Sequence, residues 1–189
     1  MRIRFILAVL VVTAVAPAFA ATVYTDEATF LADLSGPYFL EDFNGYTYGS
    51  YQQPTLDLGP DVNGYACTIS ATTDILYSGN GNMSTNLAGD ALEIAFTGTA
   101  VYSTGGFFFA GDISGNYIAN ECTVTLSDGT SDTFSPPSDT TFRGYIAAVP
   151  LTTMSIDCPD TTANAWPTMD HFYMGPALIP VELQSFTIE

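Results

Sequence analysis

Hydrophobic and polar residues alternate with a period of two along much of the chain. The clearest example is "CTVTLSDGTSDTFS" (122–135), in which Thr and Ser alternate with Val, Leu and Phe. Asp128-Gly129 stands at its centre, a dipeptide typical of a tight β-hairpin turn. A period of two places one face of each strand in a core and the other face in solvent. The pattern therefore predicts antiparallel strands in two packed sheets.

Ten short segments, separated by Gly, Asn, Asp and Pro, have this β-type composition. They are residues 38–43, 65–71, 75–78, 91–97, 104–112, 121–127, 131–135, 142–148, 152–158 and 171–175. One segment, "TDEATFLADLS", predicts a short helix near residues 26–34 with Thr25 as its N-cap. Residues 44–64, rich in Tyr, Gly and Pro, predict a long loop. The expected fold is all-β, a two-sheet antiparallel β-sandwich of jelly-roll type with one short N-terminal helix.

The first 20 residues have the features of a secretory signal peptide. Two arginines precede an apolar run, which ends in the small-x-small site Ala18-Phe19-Ala20. We expect cleavage after residue 20, a sandwich domain over residues 21–177, and a tail or extra strand over residues 178–189. No second apolar run is long enough to span a bilayer. The sequence therefore predicts a protein that is secreted or held at the cell surface, with no membrane insertion after signal cleavage.

Charge narrows the possible partners. The mature chain would keep Arg143 as its single basic residue against 20 acidic residues, a formal charge of −19. Such a surface repels nucleic acid and anionic lipid, so we exclude both as partners. The carboxylates either are solvated or hold cations, and Ca²⁺ is the candidate structural cofactor because it takes carboxylate, amide and carbonyl oxygens.

Four residues are the candidate metal ligands. Glu41, Asp42 and Asn44 lie at the end of one predicted strand, and Asp170 lies just before the last predicted strand. The first and last strands of a jelly roll commonly lie side by side, so the two groups are expected to meet. The alternative at each position is a turn in which Asp or Asn bonds its own backbone.

Three cysteines allow one disulfide and one free thiol in an oxidising exterior. Any of three pairings is possible, and we prefer Cys122–Cys158 because each of these residues flanks a predicted strand, which leaves Cys67 free. The single His and the lack of a C-x-x-C spacing argue against zinc.

The stretch "WPTMDHFYMG" (166–175) crowds the only Trp and the only His of the chain beside an Asp, as an active site can do. Strict alternation, however, puts His171 and Asp170 on opposite faces, so Asp170 is not expected to orient the imidazole. No nucleophile elbow, P-loop, H-E-x-x-H or G-x-G-x-x-G motif occurs. We therefore expect a closing strand without catalysis by His171. A glycosidase-type carboxylate pair stays as an alternative, although no feature favours any pair.

Eleven Tyr and the single Trp indicate a possible sugar-binding surface, because flat aromatic rings stack on pyranose faces. Tyr46, Tyr48 and Tyr51 lie in the predicted long loop, where ligands are commonly bound on a rigid sandwich. Together with Trp166, expected at one end of the sandwich, they are the candidate ligand-binding residues. Ordinary aromatic packing is the alternative for any single Tyr.

Several elements follow one another in a recurring order over residues 65–177. They are a Gly-Gly-aromatic strand (105–109), a Thr-Val-Thr-Leu-x-Asp-Gly hairpin (123–129), an aromatic-x-Gly-aromatic-Ile strand (142–146), a Pro-Leu-Thr strand (150–156) and Trp-Pro-Thr-Met-Asp (166–170). In this order they resemble the jelly-roll ectodomains of secreted Gram-negative proteins that often carry a PEP-CTERM sorting tail. His171 departs from the Asn expected there, and the tail "PVELQSFTIE" lacks the sorting signal. The resemblance implies a secreted, non-enzymatic sandwich whose suspected ligand is exopolysaccharide.

The predicted function is that of an exported, non-catalytic β-sandwich module that binds extracellular polysaccharide or matrix, with Ca²⁺ as a candidate stabilising ion. Two alternatives stay open. One is a purely structural envelope or surface protein without a ligand, and the other is a weak carboxylate-based glycoside hydrolase.

Overall fold

The computed structural model describes residues 20–79, 81–159 and 164–178. Within these ranges the chain forms fourteen strands and one helix, and all of the strand pairs are antiparallel. The predicted signal peptide up to residue 19 and the predicted tail from residue 179 lie outside the described residues. The domain limits at residues 21 and 177 therefore stay a prediction, whereas the predicted all-β sandwich with one short helix is confirmed.

One sheet has eight strands. Its path runs through β1 (Thr22–Tyr24), β12 (Phe142–Leu151), β8 (Val101–Gly111), β14 (Trp166–Gly175), β6 (Met83–Thr85) and β5 (Leu76–Ser78). Two further strands pair beside this path, β2 (Phe39–Glu41) with β14 and β9 (Tyr117–Ile118) with β8. Strand β14 is therefore central to the sheet, with β8 along one side and both β2 and β6 along the other.

The second sheet has six strands. Its order is β11 (Ser131–Phe134), β10 (Cys122–Leu126), β13 (Thr153–Asp157), β7 (Leu92–Phe96), β4 (Cys67–Ala71) and β3 (Thr55–Leu58). From β7 to β14 the chain crosses repeatedly between the two sheets, as in a jelly roll. Helix α1 (Glu27–Ala32) contacts β1 and β12 of the larger sheet.

The core lies between the sheets and follows the alternation of the sequence. Cys122, Val124 and Leu126 of β10 are buried, whereas Thr123 and Thr125 between them are not. Burying one aliphatic side chain of this size contributes about 1.5–3 kcal/mol to folding. Because a one-residue slip would turn the buried residues of β10 toward solvent, the alternation also fixes the register of the strand.

The structure pairs Cys122 with Cys158 in a disulfide, the pairing preferred from the sequence. The bond joins the start of β10 to the residue after β13, which are neighbours in the same sheet. Cys67 is free and buried, and its burial raises the pKa of the thiol to about 12. The Cys67 thiol is therefore protonated and unreactive at neutral pH.

Three local predictions differ from the structure. The N-cap of α1 is Asp26 and not Thr25, since Asp26 Oδ1 accepts a hydrogen bond of 2.8 Å from the Thr29 amide. The segment predicted as one long loop, residues 44–64, contains β3, whose Leu56 and Leu58 are buried. Three more strands were not predicted, β1, β6 and β9, because each is only two or three residues long and shows no clear alternation.

Candidate functional site

The stretch from Trp166 to Gly175 forms β14 along its whole length, although the sequence predicted a strand only from residue 171. Met169, Phe172 and Met174 are fully buried, so the strand closes the core as expected. Two groups of polar and aromatic side chains lie along it. The first surrounds Trp166 at the start of the strand, and the second surrounds Asp170 and His171 in its middle.

A β-bulge interrupts the alternation in the middle of β14. The register with β8 shifts between Asp170 and Tyr173, and His171 adopts a left-handed backbone with φ of 47°. As a result, Asp170 Oδ1 accepts a hydrogen bond of 2.6 Å from the His171 amide and lies 3.1 Å from His171 Nδ1. The bulge therefore brings the two side chains together, although strict alternation predicted opposite faces. His171 Nδ1 makes no hydrogen bond among the described residues, so the prediction that Asp170 does not orient the imidazole stays a prediction.

The Asp170–His171 pair lies beside the end of β2. Pairing of Glu41 with Phe172 brings Asp42 near enough to the bulge for its charge to act on Asp170. Burial raises the pKa of Asp170, and the negative charge of Asp42 adds to this increase. The His171 ring packs on the Phe107 ring with 4.8 Å between centroids, so its contacts are with a carboxylate and an apolar ring.

Three of the four predicted metal ligands, Glu41, Asp42 and Asp170, accept local hydrogen bonds. Glu41 Oε1 accepts from the Phe43 amide at 2.9 Å, and Asp42 Oδ1 accepts from the Asn44 amide at 3.1 Å. The bond from Asn44 is the main cause of the lowered pKa of Asp42, and this turn matches the alternative reading. Among the described residues, no group of three or more His, Cys, Asp or Glu side chains is placed to hold a metal. Since Ca²⁺ also accepts amide and carbonyl oxygens, the calcium site stays a prediction.

A cleft of about 290 Å³ opens at the start of β14. The cleft is lined by residues of β5, β6, β14, the β8–β9 hairpin and the loop after β2. They are Tyr48, Tyr77, Gly79, Asn82, Ser84, Thr85, Asn86, Asp112, Ile113, Gly115 and Trp166. The combination of aromatic walls with a few amide, hydroxyl and carboxyl groups is typical of sites for small ligands, and the volume lies near the lower end of their range.

Three aromatic rings form walls of this cleft, and contacts between described residues hold them. Trp166 Nε1 donates a hydrogen bond of 3.2 Å to the Asn86 carbonyl, and Tyr48 Oη donates one of 3.2 Å to the Ile113 carbonyl. The Tyr48 and Tyr77 rings meet edge to face with 5.5 Å between centroids. Because the rings are positioned before a ligand binds, binding would lose little side-chain entropy.

The loop that carries Tyr48 is attached to β5 by one buried serine. Ser78 Oγ donates to the Thr47 carbonyl at 2.8 Å and accepts from the Tyr51 amide at 2.9 Å. The Ser78 carbonyl accepts from the Gly49 amide at 2.8 Å. Gly49 has φ of 66°, and a Cβ there would lie 2.8 Å from Tyr77 Oη, so this position favours glycine. The loop is therefore fixed, and it holds Tyr48 against Tyr77.

The polar residues of the cleft differ in how well they are bonded. Asp112 Oδ1 accepts from the Ser114 and Asn116 amides at 2.8 and 3.0 Å, a turn that fixes the β8–β9 hairpin. Asn86 Nδ2 donates to Asp74 Oδ2 at 2.8 Å. By contrast, Asn82 Oδ1 is buried and has no hydrogen-bond partner among the described residues.

The structure brings together two of the four predicted ligand-binding residues, Tyr48 and Trp166. Tyr46 and Tyr51 instead pack against the core and against each other, with 5.6 Å between ring centroids, so they are not in the cleft. Tyr77 and Asn82 were missed. Tyr77 could have been found, because it lies between Leu76 and Ser78 in a predicted strand and alternation turns its ring away from the core.

Comparison of the chain with protein-family models, with curated proteins and with solved structures returns no match. The resemblance to PEP-CTERM-associated ectodomains therefore stays a prediction. Within the described ranges, no helix has the length and apolar character needed to cross a membrane.

Proposed function

We propose that this protein is an exported, non-catalytic module that binds extracellular polysaccharide in the cleft at the start of β14. One observation carries the proposal. Tyr48 and Trp166, distant in the sequence, line the same cleft together with Tyr77. Tyr48 remains 48% exposed although it is held by the hydrogen bond to Ile113, so a ring surface is left for a ligand.

The chemistry of the cleft matches that of a sugar ring. A pyranose has C–H faces that pack on aromatic rings and hydroxyl groups at its edge that exchange hydrogen bonds with amides and hydroxyls. The cleft offers the rings of Tyr48, Tyr77 and Trp166 for the faces and the exposed amide side chain of Asn86 for the edge. Both kinds of contact are therefore present within one small volume.

Carboxylate geometry favours binding over hydrolysis. Glycosidases of the common type need two carboxyl groups on either side of the bond that is cleaved. Asp112 is the single carboxyl group among the described residues that line the cleft, and its Oδ1 is engaged by backbone amides. At the bulge, none of the hydrogen bonds between described residues brings a hydroxyl to the His171 imidazole, which supports the non-catalytic proposal for that region also.

A glycan array with the mature chain tests the proposal. We expect wild type and Tyr38→Ala to bind the same neutral polysaccharide fragments, and we expect Tyr48→Ala to lose this binding. Tyr38 is a matched control because it is a tyrosine of similar exposure, 39%, that packs on Tyr173 and not in the cleft. Binding that survives in Tyr48→Ala would contradict the site, and no binding by wild type would favour a structural surface protein.

The calcium hypothesis is a separate proposal about the middle of β14. It is supported by the proximity of Asp42 to Asp170, which contributes to the raised pKa of Asp170. It is also supported by the charge of the mature chain, which leaves one basic residue against 20 acidic ones. Two neighbouring carboxylates under these conditions either share a proton or recruit a cation.

A further inference from the structure

The chain just before β1 packs on the turn between β10 and β11. Ala21 is buried, and its backbone nitrogen donates a hydrogen bond of 2.7 Å to Oγ1 of Thr130, which is also buried. Thr130 is the last residue of the turn that contains Asp128-Gly129. Strand β1, which begins at the next residue after Ala21, is an edge strand of the eight-stranded sheet. The Ala21 nitrogen therefore joins the edge of one sheet to a hairpin of the other.

Asp128 places a carboxylate beside this contact. Its Oδ1 accepts a hydrogen bond of 2.8 Å from the Thr130 amide, so the carboxylate and the Ala21 nitrogen are bonded to the same residue. Asp128 Oδ2 is buried and accepts no hydrogen bond from the described residues. A buried charged oxygen without a donor lowers stability, and a nearby cation compensates for this cost. The turn is therefore suited to hold a cation that carries N–H donors.

Cleavage of the predicted signal peptide would create such a cation. A signal peptidase hydrolyses the peptide bond between residues 20 and 21 with one water, which leaves a carboxylate on residue 20 and an α-amino group on Ala21. An α-amino group is largely protonated at pH 7. The Ala21 nitrogen then carries a positive charge and three N–H donors in place of one. Because residue 20 is exposed, its removal leaves this nitrogen at the surface, in contact with water as well as with the turn.

The other cation of the mature chain contacts the same hairpin. Arg143, its single basic side chain, has Nε 3.3 Å from Asp132 Oδ2 and its guanidinium 4.1 Å from the centre of the Phe134 ring, both on β11. Arg143 belongs to β12, the partner of β1. An α-ammonium group at Ala21 would therefore join the same edge of the eight-stranded sheet to the β10–β11 hairpin at a second point.

We propose that signal-peptide cleavage completes the fold by creating an α-ammonium group at Ala21 that pairs with Asp128 while it keeps the hydrogen bond to Thr130. The processed terminus then holds the edge strand β1 on the β10–β11 turn, and the domain is more stable after processing than before it. This inference rests on the export included in the proposed function and on cleavage after residue 20, and it is independent of the glycan-binding cleft.

Sequencing and acetylation of the N-terminus test the inference. We expect the exported chain to begin with Ala21. The mature chain has no Lys, so this α-amino group is its only primary amine, and acetylation removes the charge of a single nitrogen. The chain acetylated in urea and refolded should melt about 2–6 °C below the unmodified chain. A chain that begins at residue 20, which displaces the charge by one residue and needs no refolding, should melt at a similarly lowered temperature.

Two variants separate pairing with Asp128 from the effect of net charge. Asp128→Asn keeps the Oδ1 acceptor for the Thr130 amide and loses the negative charge, so acetylation should lower its melting temperature by less than about 1 °C. Asp57→Asn is the matched control, because Asp57 is an exposed acid of β3 at the far edge of the same sheet, and its Oδ1 accepts from Thr68. Acetylation should affect this variant as much as it affects wild type.

Three results would overturn the inference. They are a mature terminus other than Ala21, an acetylated chain that melts like the unmodified chain, and an equal effect of acetylation in wild type and Asp128→Asn. Each leaves the proposed glycan site intact, because neither Ala21 nor Asp128 lines the cleft. Conversely, an empty glycan array would overturn the proposed ligand and leave the role of the processed terminus unchanged.

Discussion

The two ends of the "WPTMDH" segment of β14 differ in how their polar groups are used. At the first end, Trp166 lies with Tyr48 and Tyr77 around a cleft in which Asn82 Oδ1 has no partner among the described residues. At the second end, the Asp170 carboxylate accepts a hydrogen bond from the His171 amide at a bulge and lies 3.1 Å from His171 Nδ1, and the neighbouring acids accept hydrogen bonds from backbone amides. Each region holds one buried polar atom without a hydrogen-bond partner among the described residues. The first lies beside a cleft with three aromatic rings, whereas in the second the imidazole packs on Phe107 and beside Asp170.

This difference shows that rare residues crowded in sequence need not form one site. A strand advances by about 3.3 Å per residue, so Trp166 and His171 are separated along β14 by roughly 16 Å. The ligand-binding role proposed for Trp166 therefore does not extend to His171. Residues that are distant in sequence but adjacent across strands, such as Tyr77 and Trp166, form the site instead.

The largest expected effect comes from removing one ring at each end of this segment. We expect Trp166→Ala to weaken glycan binding by at least about 2 kcal/mol, or roughly thirtyfold, because buried aromatic anchors dominate binding energies. His171→Ala should change the affinity less than about twofold. Titration calorimetry of the two variants measures both values, and an equal loss in His171→Ala would show that the two regions act as one site.

The second effect concerns cations at the bulge. If Asp42 and Asp170 share Ca²⁺, a tenfold excess of Ca²⁺ over its Kd stabilises the fold by about 1.4 kcal/mol, a melting shift of about 3–6 °C. We expect this shift in CaCl₂ relative to EDTA, and we expect Asp170→Asn to remove it. NaCl at matched ionic strength is the control for general screening. The same shift in NaCl, or an undiminished shift in Asp170→Asn, would reduce these acids to turn residues.

The smallest effect is the change in folding stability with pH that Asp170 causes when EDTA removes divalent cations. Since the folded-state pKa of Asp170 is raised above that of the unfolded chain, wild-type stability falls as the pH rises through that window. We expect Asp170→Asn to be more stable than wild type at pH 7 by less than about 1 kcal/mol, allowing for partial exposure. The difference should disappear below about pH 4, near the pKa of an unfolded aspartate.

Asp26→Asn is the control for that experiment, because the contribution of Asp26 to stability should change with pH in the opposite direction. Hydrogen bonds from Thr29 lower the pKa of Asp26, so its contribution to stability is present above the unfolded-state pKa and is lost as the pH falls. Urea unfolding of both variants between pH 3 and pH 8 checks the two signs. A destabilised Asp170→Asn variant at pH 7 would show that the ionised carboxylate stabilises the bulge.

Much of the fold was predictable because alternation is a local signal. All ten predicted strand segments overlap observed strands, and the β10–β11 hairpin occurs where Asp128-Gly129 indicated it. Short strands such as β6 were not predictable, since all three of its residues are buried and no alternation marks them. The bulge at His171 was missed for a related reason, because a left-handed residue inside a strand leaves no pattern in the sequence.

The site was only half predictable, because its members come from different strands. Aromatic composition identified Tyr48 and Trp166, but the sequence did not separate Tyr48 from Tyr46 and Tyr51, which pack against the core. That difference depends on how Ser78 attaches the loop to β5. Asn82 was missed because its place in the wall of the cleft depends on the turn after β5, in which its carbonyl accepts from the Gly79 amide.

Tryptophan fluorescence tests the central claim most directly, because Trp166 is the only Trp of the chain and lines the cleft. Titration of the mature chain with a neutral oligosaccharide that binds on the array should produce a saturable change in emission. The midpoint should match the calorimetric Kd, and Tyr48→Ala should lose the change whereas Tyr38→Ala keeps it. Calorimetric binding of the same sugar with unchanged Trp166 emission would place the glycan elsewhere and contradict the account.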